Sequence, residues 1–183
     1  MTRFRRPLVH MCLSARRILN DKSGAAMILF AFVLLFFVTF PLSMFQIDMT
    51  MAIEEEKHIE RAAVVSALAA LYNVSVDSDL SDFQKDDITD RFQYFLKQNL
   101  NLDDNFIPKA GPIKDPINIE EITVYDGNDV PATCSWGNEI KYPGMHIVIS
   151  TRIHRNYMAD VFGEYITIRI HKDIDIFETG VGQ

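Results

Sequence analysis

The residues able to do chemistry are few and scattered. His154 and His171 occupy matching positions in two alternating stretches, which would set both on one face of adjoining strands. A metal site would need at least a third donor, and none stands at a fixed spacing from this pair. Two histidines on a wet sheet face are the simpler reading. The run Glu54–Glu56 has the spacing of a hydrated helix face rather than of a catalytic carboxylate pair. Asp103-Asp104 is a lone acidic pair in a loop, which leaves calcium binding open and nothing more. The two cysteines, Cys12 and Cys134, belong to no CxxC motif, and HExxH is missing too. A Gly-x-Ser-x-Gly elbow, a P-loop and a dinucleotide fingerprint are likewise absent from the sequence. The sequence therefore points to no catalytic residue, no cofactor and no metal ligand.

The charges are strongly segregated. Residues 1–22 carry Arg3, Arg5, Arg6, Arg16, Arg17 and Lys22 against Asp21 alone, whereas 25 residues from Ser23 to Ile47 carry no charge. From Asp48 onward, 12 Lys/Arg face 24 Asp/Glu. A basic end, an apolar band and an acidic body fit a membrane protein and argue against a nucleic-acid partner. At about 1.5 Å per residue, roughly 20 residues cross the ~30 Å hydrocarbon core, so residues 23–47 suffice for a transmembrane helix. The band outlasts the roughly 7–15 apolar residues of a cleaved secretory signal. Basic residues before the band place residues 1–22 in the cytoplasm and residues 48–183 outside the cell membrane. Cys12 and Cys134 then lie in different compartments and cannot pair within one chain. Late in the band, Pro41 removes a backbone donor, which predicts a kink or short break.

Beyond Asp48 the pattern stays helical to Tyr72, and residues 48–75 read as an extramembrane stalk. If helical throughout, residues 24–72 would make a rod of roughly 70 Å. From Ala62 to Tyr72 only Ser66 and the Tyr72 hydroxyl are polar, and a helix apolar all round must be enclosed. The small side chains Ala62, Ala63, Ala67 and Ala70 mark a surface for close helix packing. Either the chain's own head covers this surface, or neighbouring subunits do. Residues 76–183 form that head. Ser81 is placed to cap a second helix over residues 82–99, with Phe83, Ile88, Phe92, Phe95 and Leu96 as its apolar stripe. Residues 100–116 read as an irregular connector. Period-two alternation then predicts a strand over 117–125, ending at the turn Asp126-Gly127-Asn128. The clearest strands are 146–154 and 164–174, antiparallel, each with one isoleucine face and one wet face. The fold class is α+β: a transmembrane helix continuing into a long N-terminal helix, a second helix and a small antiparallel sheet.

Residues 21–48 resemble the N-terminal segment of TadE-like proteins, minor pseudopilin-like components of tight-adherence (Flp-type) pilus machines. Arg16, Arg17 and Lys22 supply the family's basic stretch, Gly24-Ala25-Ala26-Met27-Ile28-Leu29-Phe30-Ala31 its start, and Pro41 its proline. Leu29 stands where the family pattern has the glutamate associated with prepilin-type processing. The candidate processing site is Gly24/Ala25, and with leucine at position 29 the chain is expected to keep its basic N-terminus. The resemblance implies a pilin-like plan and a non-enzymatic structural subunit of a bacterial pilus or secretion apparatus. Its partners would be the lipid bilayer and other subunits of the assembly. The alternative is a membrane-tethered module that binds or senses something outside the cell.

Overall fold

A computed structural model describes residues 22–75 and 84–176. Its elements are α1 (Lys22–Ser75), α2 (Lys85–Asn99), β1 (Asn118–Tyr125), β2 (Ala132–Thr133), β3 (Glu139–Ile140), β4 (Gly144–His154), α3 (Ala159–Phe162) and β5 (Tyr165–Asp175). The chain divides into two compact units, residues 1–47 and residues 48–183. The basic segment, residues 1–21, lies outside the described residues.

In the first unit, α1 turns Phe30, Phe32, Leu35, Phe37 and Leu42 outward, with no face left polar. Among the described residues, α1 carries the one stretch long and apolar enough to be a candidate membrane span. The break expected at Pro41 does not occur, because α1 runs unbroken through it. Proline removes a single rung of the ladder, and the intact turns on either side carry the helix across. Two hydroxyls nearby are satisfied within the helix: Thr39 donates to the Leu35 carbonyl at 2.9 Å and Ser43 to that of Thr39 at 2.8 Å.

In the second unit, α1 contributes Ile59, Ala63, Ala67, Ala70 and Leu71 to a core shared with α2 and the sheet. These positions recur at three- and four-residue steps and form one helical stripe. Enclosure on every side, expected from composition, is therefore corrected: Val65 is 55% exposed, and Tyr72 is exposed as well. Alanines on the stripe leave room for α2, whose Ile88, Phe92 and Leu96 are fully buried. Ser66, also buried, bonds back to the Ala62 carbonyl at 2.6 Å and accepts the Asn99 side-chain amide at 2.9 Å, tying the two helices together. Ser81 and Phe83 fall outside the described residues, and α2 begins after Gln84 without a side-chain cap. Asp86 and Asp87 in its first turn suit the positive end of the helix dipole.

The sheet order is β1-β4-β5, antiparallel throughout, with a bulge between Ile119 and Glu121. β4 and β5 pair in an unbroken register from Gly144↔Asp175 to His154↔Tyr165. A side chain at Gly144 would collide with the Ile174 carbonyl, so the two backbones approach closely at that end. The single wet face expected of β4 is correct only towards Arg152. Met145 and Ile147 face the core, and His146 and Val148 on the opposite face are buried as well, because the β2–β3 hairpin lies over that end of the sheet. At the start of the second unit, Asp48 is 3% exposed. Its carboxylate accepts the backbone amides of Asn156 (3.1 Å), Tyr157 (3.3 Å) and Met158 (3.0 Å), fixing the β4–β5 connection on α1.

Candidate functional site

Four side chains with donor atoms converge where the β2–β3 hairpin meets the sheet: Cys134, His146, His171 and Asp173. One ligand atom from each lies within 4.8 Å of all the others. The hairpin turn is closed by the Cys134 amide on the Asn138 carbonyl and the Gly137 amide on the Cys134 carbonyl, each at 2.9 Å. Gly137 adopts φ +87°, a conformation that favours glycine. This turn delivers the Cys134 thiol, 5% exposed and unpaired, onto the sheet. The sheet supplies the rest by register. His146 on β4 is directly opposite Asp173 on β5, and His171 precedes Asp173 by two residues on the same face.

Asp173 is the hub. Its Oδ1 lies 2.6 Å from His146 Nδ1, and its Oδ2 accepts the Asn138 amide at 2.7 Å. Oδ2 also lies 3.3 Å from His171 Nε2 and 3.9 Å from Cys134 Sγ. Burial raises the Asp173 carboxyl, but the hydrogen bonds from Asn138 and His146 and the neighbouring imidazoles outweigh it and leave it below the ordinary carboxylate value. His146 has no exposed surface, and its Nε2 lies 3.1 Å from Ser135 Oγ and 3.6 Å from Glu121 Oε2. The His171 ring is stacked on Trp136, centroids 4.7 Å apart and planes 12° from parallel. Its Nε2 is buried and makes no hydrogen bond. Burial first, then the nearby Cys134, Glu121 and Asp173, push the Tyr125 hydroxyl up. A cleft of about 290 Å³ reaches Asp173 past Tyr125, Tyr142 and Met145.

Ser135, His146 and Asp173 form a hydrogen-bonded chain in the order of a hydrolytic nucleophile, base and orienting acid. Here, however, the Ser135 hydroxyl donates to Glu121 Oε2 at 2.7 Å, so its proton faces a second carboxylate rather than the base. That chain also leaves Cys134 and the unbonded His171 nitrogen without a role. A thiol, two imidazoles and a carboxylate instead make a four-donor set of the kind that holds a tetrahedral divalent metal.

The sequence-derived candidates lie elsewhere. Gly24 and Ala25 sit in the first turn of α1. Ala62, Ala63, Ala67 and Ala70 are buried in the head's own core. His154 does share a face with His171, but it is registered with Tyr165, against whose ring it packs, whereas His171 is registered with Val148. Asp103 is used by its own loop, accepting the Asn105 and Ile107 amides at 2.8 and 2.9 Å. Of the sequence-derived pair only His171 belongs to the donor set, and the donors that reading missed are His146, Asp173 and Cys134. Counting back across the 155–163 connection would have set His146 opposite Asp173; no spacing signal marks Cys134.

No family model, characterised protein or solved structure matches this chain.

Proposed function

We propose that this chain is a non-enzymatic, single-pass subunit of a bacterial envelope assembly, of the TadE-like pilus or secretion kind. Residues 1–22 would lie in the cytoplasm and the head outside. The observation supporting this is the residue 24–47 part of α1, apolar on every face. The head covers its own alanine stripe, so that stripe is closed to neighbours, whereas this span is open to them and helices there associate by packing and not by the hydrophobic effect. A photo-cross-linking residue at Leu34, in native membranes, tests the idea. Adducts with a second copy or with other membrane subunits are expected; adducts with lipid alone would refute the subunit role. Orientation is read from Asp104→Cys in a chain lacking Cys12 and Cys134, which an impermeant thiol reagent should label in intact cells. A second reading, a membrane-tethered binding module, is favoured by the cleft of about 290 Å³ beside Tyr125, Tyr142 and Met145.

A further inference from the structure

We propose that Cys134, His146, His171 and Asp173 form a structural zinc site that pins the β2–β3 hairpin to the β4–β5 end of the sheet. The inference does not depend on the assembly reading. Zinc favours mixed sulfur, nitrogen and oxygen donors in a tetrahedron, with bonds of about 2.0–2.3 Å. Such a tetrahedron sets its donor atoms roughly 3.3–3.6 Å apart. Here the donors are already gathered within 4.8 Å, so side-chain adjustments of roughly an ångström close the set.

Each ring nitrogen has a defined part. His171 Nε2 is buried, faces Asp173 and lacks a hydrogen bond, the condition of a ligand nitrogen without its metal. His146 would ligate through Nδ1, leaving Nε2 to Ser135 and Glu121, a carboxylate–imidazole support of the kind that orients metal-bound histidines. Asn138 holds Asp173, and Trp136 holds the His171 ring flat. Binding takes up the metal as the dication. It releases the Cys134 thiol proton and leaves both imidazoles neutral, the His146 proton residing on Nε2 where it faces Glu121, so the thiolate and carboxylate balance the metal's charge. With four protein donors, the site has no open position for substrate, which suits a structural role.

The full-length chain in detergent, stripped with a chelator, tests this with zinc and then cobalt(II). One zinc per chain is expected, with a higher thermal midpoint followed by Trp136 fluorescence. Cobalt should give a tetrahedral visible spectrum and a thiolate charge-transfer band. That band should survive Cys12→Ser and vanish in Cys134→Ser. Glu121→Gln should keep the band while lowering zinc affinity by about 10–100-fold. His154→Gln, away from the site, should leave affinity unchanged. If Cys134→Ser fails to fold, the wild-type and Cys12→Ser spectra still decide. Less than one zinc per chain with an octahedral cobalt spectrum would overturn the proposal, as would a charge-transfer band lost in Cys12→Ser or kept in Cys134→Ser.

Discussion

Replacing Asp48 with alanine should loosen the β4–β5 connection before anything else. The carboxylate accepts three consecutive backbone amides, from Asn156, Tyr157 and Met158, and is itself almost wholly buried. Hydrogen bonds to a charged group contribute about 1.5–3 kcal/mol each when both sides are shut off from water. Asn156 and Tyr157 are exposed, so water takes over part of that role in the variant. The expected loss is therefore about 2–4 kcal/mol rather than the full sum, still a large share of the 5–15 kcal/mol that holds a typical domain. Asp48→Asn keeps an acceptor oxygen and should lose about half as much. The chain has one tryptophan, Trp136 in the head, so its fluorescence during urea unfolding in detergent reports on the head alone. Amide exchange of the 155–162 peptide supplies the local readout. If that peptide stays as protected as in wild type, or the alanine variant loses less than about 0.5 kcal/mol, the clamp is not what holds the loop.

Two further outcomes follow from the same packing. Ala67→Lys puts a charge into a site with no exposed surface, costing several kcal/mol beyond the strain of its bulk, and should unfold the head, whereas Val65→Lys on the outer face should fall within about 0.5 kcal/mol of wild type; circular dichroism and Trp136 fluorescence of both variants check this, and the reverse ranking would mean that partner subunits, not the head, cover the stripe. The Lys85 hydrogen bond, with the Asp126 backbone amide, holds the Asp129 carboxyl below its ordinary value, so its contribution is present above the unfolded value of about 3.9 and lost as pH falls through the lower folded one. Asp129→Asn should flatten that acid limb of the stability curve, by a small amount because the pair is solvent-exposed.

The elements were legible in the sequence because period and composition report them directly. The apolar band, the α2 stripe and the alternation of β4 and β5 each follow from which residues must avoid water. What composition could not give was who covers whom. Whether the Ala62–Tyr72 stretch met its own head or a neighbour depended on α2 and the sheet arriving at it, a tertiary fact. Likewise His146 reads as a wet-face residue from alternation alone, since only the hairpin over it makes it buried. Cys134 sat in a loop whose path no periodicity describes, so the donor cluster was invisible although three of its members lay on strands already recognised.

The register of β4 on β5 has a kinetic consequence. His146 and Asp173 meet because they are cross-strand partners, and a slip of one residue would carry one of them to the opposite face. Cys134, some forty residues before Asp173 in sequence, comes in only with the β2–β3 hairpin closed. The four donors thus coincide in the finished fold and not in a slipped or half-built hairpin. A metal held there would recognise the native state alone, stabilising it without helping the chain to reach it. It would slow unfolding and leave the folding rate nearly unchanged, acting as a lock that closes last.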